Sequence, residues 1–312
     1  MRQLRYSLRV LRRTPGFTTV TILILALAIG ANTAMFSILD AWLLRPLHFK
    51  EPDRVVIALR ADRKHPDEPP IADFYRDYLD WKQSVRSFQG MSAMFWRQFT
   101  LSGTGEAENF MGMIVTWDIF DTLGVSAQIG RTFLPSDVDG PPAIVISHQL
   151  WQERFGGARD AIGRTLTLNG KLYQVIGVMP ASFSLRMENQ PLDPKVLAVI
   201  PRNDPDYTPT STRPVAVIGR LKPGVGLATA QAELQTVQVA ADARHPETPK
   251  DFGVFLTKLQ RDNVRFIGTS LETLLAAVVF VMLAAIGIYV MTGNLSWKPH
   301  GRELPLLDAG GK

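Results

Sequence analysis

The sequence predicts a membrane-anchored α+β protein, a mixed α/β head held between two transmembrane helices. Three observations carry that reading. Residues 17–39 and 273–297 form two charge-free apolar runs, the first of 23 residues between Arg13 and Asp40, the second of 25 between Glu272 and Lys298. At about 1.5 Å per helical residue the shorter run reaches roughly 35 Å, enough for a hydrocarbon core of about 30 Å. Backbone crossing lipid must satisfy its own hydrogen bonds, so each run is expected to be a helix. The third observation is the stretch between them, where strand-like and amphipathic helical patterns alternate with turn residues.

Taken in order, residues 1–16 are a basic N-terminus. Arg2, Arg5, Arg9, Arg12 and Arg13 stand there without an acidic residue. Flanking Lys and Arg stay cytoplasmic, so these arginines are expected to set the topology. Residues 17–44 are the first transmembrane helix with an outer extension. Inside it Gly30 and Ala34, four apart, would let a neighbouring helix approach closely. Asn32 between them offers an interhelical hydrogen bond, or is a tolerated polar residue near the outer leaflet. Residues 45–272 are then extracytoplasmic, 273–297 the second helix, and 298–312 a short cytoplasmic tail. Trp42 and Trp297 fall at opposite interfaces in this arrangement. A cleaved signal peptide is the rival reading, but the first run is long for one and the second would still anchor the product.

The net charge of +5 belongs to the flanks. Between the helices 26 Lys and Arg face 26 Asp and Glu, so the head is neutral. It therefore lacks the electrostatic footprint of a nucleic-acid binder. With no cysteine, disulfides, zinc thiolates and thiol catalysis are excluded. A head of this size can be held by a packed core.

Within the head, residues 55–59 read as a strand. Residues 77–88 read as an amphipathic helix through Tyr78, Leu79, Trp81, Val85 and Phe88. Strand 110–115, a short helix 117–123 ending at Gly124, strand 143–147 and a helical turn or two over 148–155 follow. The strongest local signal is 165–178, two alternating runs around Asn169-Gly170, the pair favoured in a two-residue hairpin turn. Residues 191–214 read as a Pro-rich loop. Strands at 214–221 and 253–259 enclose a helix over about 227–242.

The search for chemistry returns negatives. Residues 163–171 suggest a phosphate loop, but Leu168 replaces the second glycine and Leu172 the metal-binding hydroxyl, so the hairpin explains them better. Gly103/Gly105 and Gly224/Gly226 lack the third glycine of a dinucleotide fingerprint, and the latter pair reads as the start of a helix. Ser147 and His148 are adjacent, which points their side chains apart. The histidines at 48, 65, 148, 245 and 300 are scattered, giving no metal cluster. Asp73, Asp77 and Asp80 are expected on a solvated helix face rather than as paired catalytic carboxylates. No catalytic, cofactor or metal residue is assigned, and the chain is expected not to be an enzyme.

Several blocks carry a resemblance. Residues 11–17 (LRRTPGF), 26–34 (ALAIGANTA) and 44–47 (LRPL) resemble the opening of MacB-like, FtsX-like permeases of ABC transporters, most of all the acidobacterial-type branch. Residues 78–81, 120–124, 130–133, 150–156, 162–170, 175–180 and 220–224 (RLKPG) resemble that family's extracytoplasmic domain in order. The resemblance covers roughly 1–290. It implies a MacB-like periplasmic core domain of two subdomains: Porter-like over 45–122 and 212–268, Sabre-like over 125–210. It also implies a multi-pass protein of the bacterial inner membrane. ATP would be bound by a separate ABC ATPase subunit, whose movement passes to the head for export or efflux. Further permease helices or self-association, a periplasmic adaptor and an exported substrate are the other partners it suggests, beside the bilayer itself. The family unit has four transmembrane helices and this sequence two, with Pro305 interrupting the segment after the second. A truncated permease is therefore the expectation. The alternative is a membrane-anchored extracytoplasmic binding or scaffold protein without ATP coupling.

Overall fold

The computed structural model describes residues 49–259, apart from 66–67, 69, 104–105, 186–192 and 246–251, with isolated helical positions within 15–33 and at 276 and 283. The chain divides into two compact units, one from residues 1–44 and 267–312, the other Arg45–Phe266. The two apolar runs lie almost wholly outside the described residues. Among the described residues no helix is long and apolar enough to cross a membrane.

Unit Arg45–Phe266 is built on one eleven-stranded sheet. In chain order its strands are β1 (Val55–Asp62), β2 (Asp73–Phe74), β3 (Phe88–Ser102), β4 (Glu108–Val115), β5 (Ile129–Gly130), β6 (Ala143–Ile146), β7 (Thr165–Leu168), β8 (Lys171–Val178), β9 (Val196–Val199), β10 (Pro214–Leu221) and β11 (Phe252–Lys258). Among the described residues of this unit four α-helices accompany them: α1 (Tyr75–Ser84), α2 (Ile119–Leu123), α3 (His148–Phe155) and α4 (Leu227–Arg244). The strand order is β11-β1-β10-β3-β4-β9-β6-β8-β5, with β2 on β10 and β7 joining both β3 and β8.

That last pairing has a topological result. Following the ladders β3-β4-β9-β6-β8-β7 leads back to β3, so six strands close into a ring. The ring is sealed by a short seam, Leu101 opposite Leu168 and Ser102 opposite Thr167. Beyond the ring the sheet stays open through β10, β1 and β11. The 15-residue strand β3 belongs to both parts: Phe88–Met94 pair with β10, and Met94–Leu101 with β4.

Alternation assigns the two faces. Val56, Ala58, Val215, Val217, Val254 and Leu256 pack with Trp81 of α1 and Leu234 of α4 in one cluster, which also holds Phe99, Leu101, Ile144, Leu166, Leu168 and Val196 from the ring strands. Val55, Ile57, Met94, Met113, Val145, Leu197 and Ile218 point the other way and pack with Ile119, Phe120 and Leu123 of α2. Trp81, fully buried, donates from Nε1 to Gln238 Oε1 at 2.6 Å, which ties α1 to α4 where an indole N–H would otherwise lose its partner.

The hairpin is present as read. β7 and β8 pair antiparallel from Thr165/Gln174 to Leu168/Lys171, and Asn169 and Gly170 both have positive φ, 51° and 76°. Asn169 also accepts from Thr100 N at 2.8 Å, fastening the turn to β3. Two expectations are corrected, and one strand is added. α1 runs Tyr75–Ser84, not 77–88, because Phe88 is the buried first residue of β3. β3, over Phe88–Ser102, was not foreseen as a strand at all. The supposed loop 191–214 contains β9, whose Val196–Val199 are all buried between β4 and β6.

Candidate functional site

Three groupings of polar residues emerge from this frame, and the first lies at one end of the open sheet. Val55 pairs with Arg220, and Val56 with Lys258, so β1 begins, β10 ends and β11 ends at this edge. The 3-10 turn before β1, the C-terminus of α2 and the end of β10 enclose a cleft of about 610 Å³, lined among others by Lys50, Arg54, Gln89, Asp121, Gly124 and Arg220. Gly124 closes α2 in the left-handed region (φ 65°). A Cβ there would stand 2.8 Å from Lys50 Cβ and 3.0 Å from Arg220 Nη2, so glycine lets both cations approach the helix end.

The two arginines of the cleft are held differently. Arg54 is fully engaged. Its Nε and Nη2 donate to Leu221 O at 2.9 and 2.7 Å, Nη2 also to Gln89 Oε1 at 2.8 Å, and Nη1 to Glu51 Oε2 at 2.5 Å. Arg220 is only 4% exposed, and its Nε donates to Thr122 O at 2.8 Å. Its Nη1 and Nη2 are buried without a hydrogen-bond partner. Burial, then the charge of Arg54, hold its pKa below the usual arginine range, with Glu51 partly opposing.

The second grouping replaces the expected solvated face. Asp73 and Asp77 are 0% and 1% exposed, and both accept from buried Arg60 of β1, Asp73 Oδ1 at 3.3 Å. The Arg60 and Arg76 guanidinium groups lie 4.8 and 5.4 Å from the Phe74 ring centre. Burial, opposed by Arg60 and reinforced by Asp77, pushes Asp73 up to about 7; burial also raises Asp77. Asp73 Oδ2 has no hydrogen-bond partner. Only Asp80 keeps a surface position, 2.9 Å from Arg244. The correction has a plain cause: the neutralising arginine lies on another strand, 13 residues before Asp73.

Third, the structure brings Asp62, His65 and Glu68 together at the surface, with ligand-type atoms within 4.8 Å of one another. The expectation of no metal cluster weighed the histidines alone, whereas Asp62 and Glu68 stand three residues to either side of His65. Ser147 is the N-cap of α3, accepting from Leu150 N at 3.0 Å, while His148 Nδ1 lies 3.0 Å from Gln128 Oε1. The two do not act together.

Of the residues expected to pack or orient the membrane helices, Arg2, Arg5, Arg9, Arg12, Arg13, Asn32 and Ala34 lie outside the described residues. Gly30 is helical and exposed, with nothing within 4 Å of a Cβ built on it. The cleft arginine was visible in sequence only as the first residue of the 220–224 block; no local pattern marks it as buried.

An eleven-strand mixed sheet with four helices defines a mixed α/β domain. Its family is shown by a profile described as MacB-like periplasmic core domain, which matches residues 18–237. The chain belongs to that family. No curated protein matches it. Among solved structures, a domain described as part of a permease protein from Porphyromonas gingivalis is similar with a TM-score of 0.51 at 15% identity, covering 67% of this chain and 92% of that one. The extracellular domain of the noncanonic ABC-type transporter YknZ from Gram-positive bacteria gives 0.47 at 16%, covering 64% and 99%. The periplasmic region of MacB from Actinobacillus actinomycetemcomitans gives 0.44 at 16%, covering 70% and 92%. The first of these likenesses supports the fold alone.

Proposed function

We propose that this chain is a permease subunit of a MacB-like ABC transporter. In this reading residues 17–39 and 273–297 cross the inner membrane and the head stands outside. A separate ATPase binds ATP and closes; the movement travels along the helices and reshapes the head during export. The observation that carries the reading is the family match across 220 residues, joined to two apolar runs that bracket the head in sequence. Ile22, Ile29 and Leu283, each about 60% exposed, lend support as lipid-facing side chains.

The head is proposed to work as two subdomains, 45–122 with 212–268 and 125–210, joined through the β4–β9 and β3–β7 pairings. Gly30, Asn32 and Ala34 are proposed to pack against further permease helices or a second copy. Arg2, Arg5, Arg9, Arg12 and Arg13 are proposed to hold the N-terminus inside.

The test is reconstitution of the full chain in liposomes with its cognate ATPase. Vanadate-sensitive turnover that requires both proteins is expected. Turnover by the chain alone, or by the ATPase with no response to the chain, refutes the coupling. Topology is read separately. The chain has no cysteine, so single cysteines at positions 5, 170 and 300 report cleanly. Position 170 is expected to react with an impermeant thiol reagent in intact cells, and 5 and 300 to resist it; labelling at 5 with protection at 170 overturns the placement.

A further inference from the structure

We propose that the cleft at the β1/β10 end of the sheet is an oxyanion site, in which the Arg220 guanidinium grips a phosphate group end-on. The chemistry is that of a phosphate oxyanion, common to an anionic phospholipid headgroup and to free inorganic phosphate.

A buried cation is costly unless paired, yet Arg220, at 4% exposure, spends only Nε on the chain, giving it to Thr122 O. Nη1 and Nη2 are left without a partner. Two adjacent N–H groups on a planar fork match two oxygens of a phosphate, the geometry in which arginine binds such anions most strongly. The acids in the cleft wall make no hydrogen bond to the fork. Glu51 reaches Arg220 only through its field, because its carboxylate accepts from Arg54, which is further tied to Leu221 O and Gln89. Lys50 and Arg54 add positive charge to the same wall, against Glu51 and Asp121. Gly124 supplies the clearance, since any side chain there would press on Arg220 Nη2 and Lys50. An anion held here would touch α2, the turn before β1 and the end of β10 together.

The headgroup source rests on the membrane reading proposed above; the phosphate chemistry does not. Arg54 and Lys258 each lie 15 residues from the nearer apolar run, and both belong to this sheet edge.

The experiment uses the full chain in neutral detergent micelles, with thermal unfolding followed by tryptophan fluorescence. Inorganic phosphate is titrated at constant ionic strength set by chloride. A saturable rise in midpoint is expected, absent in Arg220→Gln and needing at least tenfold more phosphate in Arg220→Lys, which keeps the charge but loses the fork. In a parallel arm the chain is placed in nanodiscs of phosphatidylcholine with and without phosphatidylglycerol. Arg220-dependent stabilisation only in the phosphatidylglycerol discs assigns the site to a headgroup; stabilisation only by inorganic phosphate assigns it to the free anion. A response to neither probe, or one of equal size in wild type and both variants, overturns the proposal. If Arg220→Gln does not fold, the Arg220→Lys shift and competition by sulfate, equal to chloride if the proposal is wrong, decide it. The micelle arm stands whatever the thiol-labelling topology shows, so failure of the membrane placement and failure of the site are told apart.

Discussion

Replacing Arg60 with methionine isolates the energetic weight of the buried charge cluster. Methionine fills much of the arginine stem's volume but leaves Asp73 and Asp77, 0% and 1% exposed, without their shared cation. Removing one partner of a buried ion pair costs about 3–5 kcal/mol, because the orphaned charge stays desolvated. The loss must depend on pH. Asp73 already has its folded pKa raised to about 7 against 3.8 unfolded. A raised carboxylate contributes fully below the unfolded value, and its contribution is lost as pH climbs towards the folded one. Between pH 5 and pH 8 the wild-type head should therefore lose about 2–3 kcal/mol through this group. Without Arg60 Asp73 loses the cation that favours its ionised form, so its folded pKa rises further and the decline continues to higher pH. Urea unfolding of the full chain in micelles at pH 5, 7 and 8, read by tryptophan fluorescence, measures both. A penalty under about 1 kcal/mol at pH 8, or the same penalty at pH 5 and pH 8, refutes the reasoning.

Asp73→Asn should flatten the wild-type decline between pH 5 and pH 8, since the titrating group is gone; an unchanged slope in the same unfolding series assigns it elsewhere. Asn169→Ala should cost about 1–2 kcal/mol, from alanine at positive φ and from the loss of the bond accepted from Thr100 N, measured by the same denaturation. Ser147→Ala should cost about 1 kcal/mol through loss of the α3 cap, with Ser147→Asp close to wild type. Gln238→Leu should destabilise by about 1–3 kcal/mol and shift the tryptophan emission, because the buried Trp81 N–H loses its acceptor.

The elements legible in the sequence are those whose signal is local. The 165–178 hairpin rests on two adjacent turn residues, and α4 on a long stretch without proline between two strands. β3 was missed because its partners change along its length. Its near half is covered on both sides by β10 and helix packing, its far half faces the ring, and no single alternation survives. β9 was missed because four residues buried on both faces, between Pro194 and Pro201, show neither period. The cleft was illegible for a further reason. Arg220 meets Thr122 across 98 positions and Arg54 meets Leu221 across 167, and no window of sequence brings such residues side by side.

The pairing of β1 with β10 has a consequence for how the chain is made. Val55 waits for Arg220, about 165 residues later, before its ladder exists. At synthesis rates of about 5–20 residues per second that is roughly 8 to 33 s. Throughout that interval the six residues Val55–Arg60, all buried in the finished sheet, have neither neighbouring strand. The ring strands, which all fall between them in sequence, are complete first. Biogenesis therefore runs from the inside of the sequence outward, and the newborn first strand is the segment a chaperone must shield.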